Sequence, residues 1–174
     1  MDKHKARYNA IQARHGMDLS AGEESRLLEL FRHNVLNAHR PESGMLLAGY
    51  WPIRNEIDPR PLMALWAAEG GRTALPVTPA QGRPLEFRLW LPDRTDMVDG
   101  PYGIMEPGSS APVVTPDLLL VPLAAFDRRG YRLGYGGGFY DRTLESLRAQ
   151  KQVSAVGLAY ASQESPEPLP VEPH

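Results

Sequence analysis

Cysteine is absent from the 174-residue chain. Its absence removes disulfides, thiolate nucleophiles and cysteine-ligated metals together, and it fits a cytoplasmic location. A basic excess is lacking as well: 19 Lys and Arg stand against 21 Asp and Glu, a formal net charge of -2. That balance argues against a general nucleic-acid binder and leaves room for a local basic pocket. No apolar run reaches the length of a membrane span, so no membrane partner is expected. The start, Asp2-Lys3-His4-Lys5, is charged and has no apolar signal-peptide core. His4, His15, His33, His39 and His174 show no metal-ligand spacing, and no Gly-x-Ser-x-Gly elbow marks a serine hydrolase. There is no internal repeat, and the Pro-rich residues 165–170 read as a loop. What remains is a chain with 42% hydrophobic residues, long enough for one domain with a substantial core.

Residues 3–14 read as a short basic helix. Ser20 and Glu23 have the spacing of a capping box, followed by an apolar face of Leu27, Leu28, Leu30, Phe31 and Val35. Residues 45–50 read as a buried strand. Asp58-Pro59 starts a helix carrying Leu62, Met63, Leu65 and Trp66, which Gly70 and Gly71 stop. Residues 72–77 and 85–91 are strands, the second with alternating Leu85, Phe87, Leu89 and Leu91. Residues 92–116, rich in Pro, Gly and Asp, read as a long functional loop. Residues 118–121 have the apolar character of a central parallel strand. Residues 127–130 form a turn, residues 138–149 a helix with Leu144 and Leu147 inward, and residues 153–159 a further buried strand. Alternating strands and helices predict an α/β domain with a mostly parallel sheet and helices on both faces. Ligands in such sheets gather beyond the strands' carboxyl ends, which directs attention to residues 50–58 and 122–141.

Residues 132–141, Arg-Leu-Gly-Tyr-Gly-Gly-Gly-Phe-Tyr-Asp, are the most informative segment. Four glycines in five positions let the backbone approach a ligand, and they run directly into a helix start, where free amides and the helix dipole favour an anion. The segment is neither a P-loop, because no Gly-Lys-Ser/Thr follows, nor a dinucleotide fingerprint, because Phe139 stands where a third spaced glycine belongs. A plain tight turn would need the same glycines. Arg132 and Arg142 add cationic donors, however, and Asp141 is either a dipole-stabilising acid or a ligand for Mg²⁺ between carboxylate and phosphate.

The sequence resembles the 5-formyltetrahydrofolate cyclo-ligase, or methenyltetrahydrofolate synthetase, family. The likeness rests on Asp117-Leu118-Leu119-Leu120-Val121-Pro122, Ala125-Phe126-Asp127, Gly130 and the run from Arg132 to Arg142. It extends upstream to Gly103-Ile104-Met105-Glu106-Pro107 and Asn55-Glu56-Ile57-Asp58, and downstream to Val156-Gly157-Leu158-Ala159-Tyr160, Gln163 and Leu169-Pro170-Val171-Glu172. The resemblance implies a three-layer α/β/α fold similar to that of ribose-phosphate isomerases and CoA transferases. It also implies ATP-dependent closure of 5-formyltetrahydrofolate to 5,10-methenyltetrahydrofolate, with Mg²⁺, through phosphorylation of the formyl oxygen.

By the same resemblance, ATP is expected at Gly134, Tyr135, Gly136, Gly137, Gly138, Phe139, Tyr140 and Asp141, with Arg132 neutralising charge and Asp141 holding Mg²⁺. Arg132 and Tyr140 are the candidate catalytic residues. The folate is expected at Glu56, which would accept from the pterin N–H groups, and at Tyr102, with Tyr50 and Trp51 as further wall. Phe87 alternates with apolar neighbours and is expected in the core. The family's first-helix Lys-x-x-x-Arg pair matches Lys3 and Arg7, and a shift of one residue would substitute His4 and Tyr8. The family continues past the position of His174 with an Asp-containing segment and a last strand. A single domain over 1–174 with that strand absent or trimmed is therefore expected, acting as a monomer on small molecules: ATP and the folate, with or without a polyglutamate tail. Two rivals are a non-catalytic relative that keeps the nucleotide pocket, and an isomerase or acyl-transfer enzyme of the same fold acting on another phosphorylated substrate.

Overall fold

A computed structural model describes residues 2–170; Val171 and Glu172 of the family likeness lie outside them. The Asp2 carboxylate caps α1 (Lys3–Ala13), accepting from the His4 amide. Ser20 and Glu23 close the reciprocal capping box on α2 (Ala21–Phe31). That helix widens into a π turn, Arg32–Leu36, which carries Val35 into the core. Phe31 is buried with Val35, whereas Leu30, expected on the same face, is 46% exposed. Leu30 lies about 100° round the helix from Phe31, and the buried stripe runs through Leu27 and Phe31, four residues apart.

The remaining elements are β1 (Leu46–Ala48), α3 (Arg60–Ala68), β2 (Arg72–Val77), β3 (Glu86–Leu89), β4 (Met97–Asp99), β5 (Met105–Pro107), β6 (Val113–Val114), β7 (Leu118–Pro122), β8 (Ala125–Phe126), β9 (Arg132–Leu133), α4 (Phe139–Arg148) and β10 (Ser154–Leu158). A six-stranded sheet runs in the order β10-β7-β1-β2-β3-β6. The first four strands are mutually parallel, and β3 and β6 extend the sheet in antiparallel pairings. Side chains alternate between two apolar layers. Leu47, Leu75, Leu118 and Leu120 pack with Phe31, Leu62 and Trp66 from α2 and α3. Leu46, Ala48, Ala74, Leu119 and Val121 pack with Leu144 and Leu147 of α4. Burying each such leucine stabilises the fold by roughly 2 kcal/mol relative to exposure. Burial on both faces explains why the central strands read as continuous apolar runs.

Phe87 sits in the α4-side layer, as its alternation predicts. Two further expectations change. Residues 92–116 are not one loop but contain the β4–β5 hairpin, with Val98 opposite Glu106, and then β6. Because β4 is largely exposed, it shows no apolar alternation. Glu106 of the Gly-Ile-x-Glu-Pro element is buried and accepts from the Thr78 amide at 2.7 Å, tying the hairpin to the end of β2. Finally, β10 is an edge strand with Ala155 and Gly157 exposed, so it is covered on one face only.

Candidate active site

One cleft of about 1050 Å³ opens beyond the carboxyl ends of β1 and β7. It brings together every residue singled out for a ligand. Lys3 and Arg7 enter from α1, Tyr50, Trp51 and Glu56 from the segment after β1, Tyr102 from the turn before β5, and Arg132 with residues 134–141 from β9 and the start of α4. In the shifted register, Tyr8 would have to take Arg7's place, yet its ring is exposed. Lys3 and Arg7, four residues apart, share the face turned to the cleft.

The glycine segment is shaped by its backbone. Gly136 (φ +101) and Gly138 (φ +64) adopt left-handed conformations that other residues take only at a cost. Gly138 precedes α4 and no side chain caps that helix, so its first amides remain available to an anion in the cleft. Cations surround the segment. Arg7 donates from Nε to the Gly134 carbonyl at 2.7 Å. Arg142 donates from Nη2 to the Gly137 carbonyl at 2.6 Å, and its guanidinium lies 5.4 Å from the Phe139 ring centre. Arg142 Nε is buried without a hydrogen-bond partner. Arg132 is paired with Asp141, whose side chain is 62% exposed. No group of three or more His, Asp or Glu that could hold a metal occurs among the described residues. A single exposed carboxylate beside a phosphate-friendly helix start suits Mg²⁺, which commonly takes one carboxylate and completes its shell with phosphates and water.

The opposite wall is carboxylate and aromatic. Glu56 accepts from the Ile53 amide at 2.9 Å. Burial pushes its carboxyl above the ordinary value, against the hydrogen bond from the Ile53 amide and the positive charges of Arg14 and Arg54. Burial, reinforced by the Glu56 charge, raises the phenols of Tyr50, Tyr135 and Tyr140. The three phenols therefore stay neutral, and they line the same cleft as Glu56 and the glycines. Tyr50 donates to the Ile57 carbonyl at 2.6 Å and is buried, so it braces the wall from behind. Trp51 lies under Arg60, whose guanidinium is 4.5 Å from the ring centre and is held bidentately by Asp58. Tyr102 is 84% exposed on the rim, with a left-handed backbone (φ +62).

Sequence reading overlooked Arg14. Only 2% exposed, it reaches Tyr135 and the Arg54 carbonyl from the end of α1. The signal was available, since Arg14 follows Arg7 by two helical turns on the same face.

Against this geometry, the sequence profile of the 5-formyltetrahydrofolate cyclo-ligase family matches residues 2–174. The chain belongs to the 5-formyltetrahydrofolate cyclo-ligase family. It is 37% identical over 161 residues to the 5-formyltetrahydrofolate cyclo-ligase of Haemophilus influenzae, covering 89% of this chain and 84% of that one. With the enzyme of the same name from Escherichia coli K12 it shares 42% identity over 132 residues, covering 72% and 70%. The solved structure of Aquifex aeolicus 5,10-methenyltetrahydrofolate synthetase superposes with a TM-score of 0.73 at 32% identity, covering all of this chain and 85% of that one. The Mycoplasma pneumoniae 5,10-methenyltetrahydrofolate synthetase gives a TM-score of 0.66 at 25% identity, covering 95% and 89%. These cyclo-ligase relatives agree with the mixed α/β architecture and the mostly parallel sheet described above.

Proposed function

We propose that this protein closes 5-formyltetrahydrofolate into 5,10-methenyltetrahydrofolate at the expense of ATP, releasing ADP and phosphate. The observation that carries the reading is the meeting, in one cleft, of an uncapped, cation-ringed helix start and a buried carboxylate with aromatic walls. The first suits a triphosphate. The second suits a pterin, whose adjacent N–H groups a carboxylate can accept in parallel.

A formamide oxygen is a very poor leaving group, and phosphorylation corrects that. The formyl oxygen attacks the γ-phosphorus, the bond from that phosphorus to the bridging oxygen breaks, and ADP departs. The N10 lone pair then attacks the formyl carbon, the carbon–oxygen bond breaks to release phosphate, and the N10 proton is lost. The protein's task is alignment and charge neutralisation. Residues 134–138 would hold the phosphates through their backbone, with Lys3, Arg7 and Arg142 placed for the outer oxygens and Arg132 for charge on the transferring group. Asp141 would hold Mg²⁺, which supplies charge neutralisation when bound. Glu56 would orient the pterin, Tyr102 and Trp51 would flank it, and Tyr140 would line the junction between the two substrates.

Loss of the Lys-Arg pair would mark a non-catalytic relative, but Lys3 and Arg7 both line the cleft. The test is turnover by the full-length protein. With Mg²⁺ and ATP, methenyltetrahydrofolate absorbance should grow in step with ADP, and ATP binding without that growth would favour the non-catalytic reading. The single-domain organisation, action as a monomer and a cytoplasmic location belong to the same proposal. No helix among the described residues is long and apolar enough to cross a membrane.

A further inference from the structure

We propose that Arg14 is a positioning residue, one guanidinium fastening both Tyr135 of the glycine segment and the turn that carries Glu56, so that the two halves of the cleft are set relative to each other. The inference rests on the reading that those halves receive ATP and the folate.

Arg14 lies at the end of α1, and its two terminal nitrogens point to different halves of the site. Nη1 donates to the Tyr135 hydroxyl, and Nη2 to the Arg54 carbonyl at 3.0 Å. Its charge sits 5.4 Å from the Tyr135 ring centre. Nε is buried and has no hydrogen-bond partner. A buried guanidinium is costly unless its charge and donors are met, and an apolar side chain would fill the same space at less cost. What sets this position apart is therefore what the fork holds.

Both of its partners need holding. Arg54 (φ +47) and Asn55 (φ +59) are consecutive non-glycine residues in the left-handed region, a strained pair that persists only where its surroundings fix it. The turn closes on itself through the Glu56 amide to the Ile53 carbonyl at 3.0 Å and the Ile53 amide to the Glu56 carboxylate at 2.9 Å. Arg14 tethers it from outside the turn. On the other side, the Tyr135 hydroxyl accepts from Arg14 and donates to the Leu123 carbonyl at 3.3 Å, so its ring is aimed from two directions. The charged and titratable groups facing Glu56 are Arg14 and Arg54 and the phenols of Tyr50, Tyr135 and Tyr140. Arg14 thus also supplies part of the positive charge that favours the carboxylate form.

The experiment compares Arg14→Lys, Arg14→Met, Tyr135→Phe and the Arg14→Lys/Tyr135→Phe double variant in the full-length protein. Lysine keeps the charge but cannot span both acceptors with a fixed fork. Arg14→Lys is expected to raise KM for both ATP and 5-formyltetrahydrofolate by about tenfold. It should also abolish any enhancement of folate binding by a non-hydrolysable ATP analogue, with the Glu56 titration, followed by carboxyl NMR, left near wild type. Arg14→Met should do the same and shift the Glu56 titration upward. The double variant should be no worse than Arg14→Lys alone. The proposal is overturned if Arg14→Lys changes neither KM or only one, or if the two substitutions are fully additive in both KM and denaturation. Should Arg14→Met not fold, the lysine and double variants still decide. Should the unaltered protein fail to turn over folate, the functional reading fails, while the denaturation cycle and the Glu56 titration still test the tether.

Discussion

Arg7 donates from Nε to the carbonyl oxygen of Gly134 at 2.7 Å, across 127 residues of sequence. The first helix is thereby a wall of the glycine segment, and its cation is fixed beside the backbone that would hold the phosphates. Hydrogen bonds from charged donors contribute roughly 1.5–3 kcal/mol. Arg7→Met should accordingly raise KM for ATP about tenfold or more in steady-state assays, with KM for 5-formyltetrahydrofolate little changed. An equal rise in both would place Arg7 elsewhere in the mechanism.

Gly138 holds a left-handed conformation, and a methyl group added there would lie 2.6 Å from Arg142 Nη1. Gly138→Ala should cost about 1–2 kcal/mol in urea denaturation, the usual penalty for that backbone region. Because it also displaces Arg142, KM for ATP should rise. Gly22, on α2, has ordinary φ and open space around it. Gly22→Ala is the control and should leave stability unchanged or raise it by about 0.5–1 kcal/mol.

The Arg132–Asp141 pair is exposed on the Asp141 side, so its contribution to stability should be small, about 0–1 kcal/mol. Asp141→Asn should leave the melting temperature close to wild type while raising the Mg²⁺ concentration needed for half-maximal turnover. Chelation should stop turnover in the wild type, and added Mg²⁺ should restore it. A large loss of stability in Asp141→Asn would show instead that the carboxylate serves the helix.

Glu56 gives a signed dependence on pH. Burial raises its folded-state value above that of the unfolded chain, where a glutamate titrates near about 4.3. Between the two values the native state binds more protons than the unfolded state, so stability falls as pH rises through that window and stays lower above it. Glu56→Gln keeps an acceptor for the Ile53 amide and removes the buried charge. It should therefore melt higher than wild type at neutral pH, lose that advantage as pH falls below about 4, and bind 5-formyltetrahydrofolate poorly.

The parallel core was legible because residues 118–121 are apolar on both faces, and that is how a doubly covered strand reads. The glycine segment was legible because four glycines in five positions run straight into a helix start between two arginines. The β4–β5 hairpin was not, since Val98 and Asp99 face solvent and carry no period-two signal. Neither could alternation in residues 85–91 give the direction of β3, because parallel and antiparallel neighbours bury the same face. At the site, single motifs indicated Glu56, Lys3 and Arg7. Arg14 escaped because its partners, Tyr135 and Arg54, are 121 and 40 residues away and come together only in the folded chain.

The formyl oxygen is the atom to follow. If the formyl oxygen attacks the γ-phosphorus, it must leave with that phosphorus. Turnover of 5-formyltetrahydrofolate carrying ¹⁸O in the formyl group, with ATP and Mg²⁺, should place the label in the released phosphate, one atom for each methenyltetrahydrofolate formed. Label in water with unlabelled phosphate, or no methenyl product at all, would contradict the account.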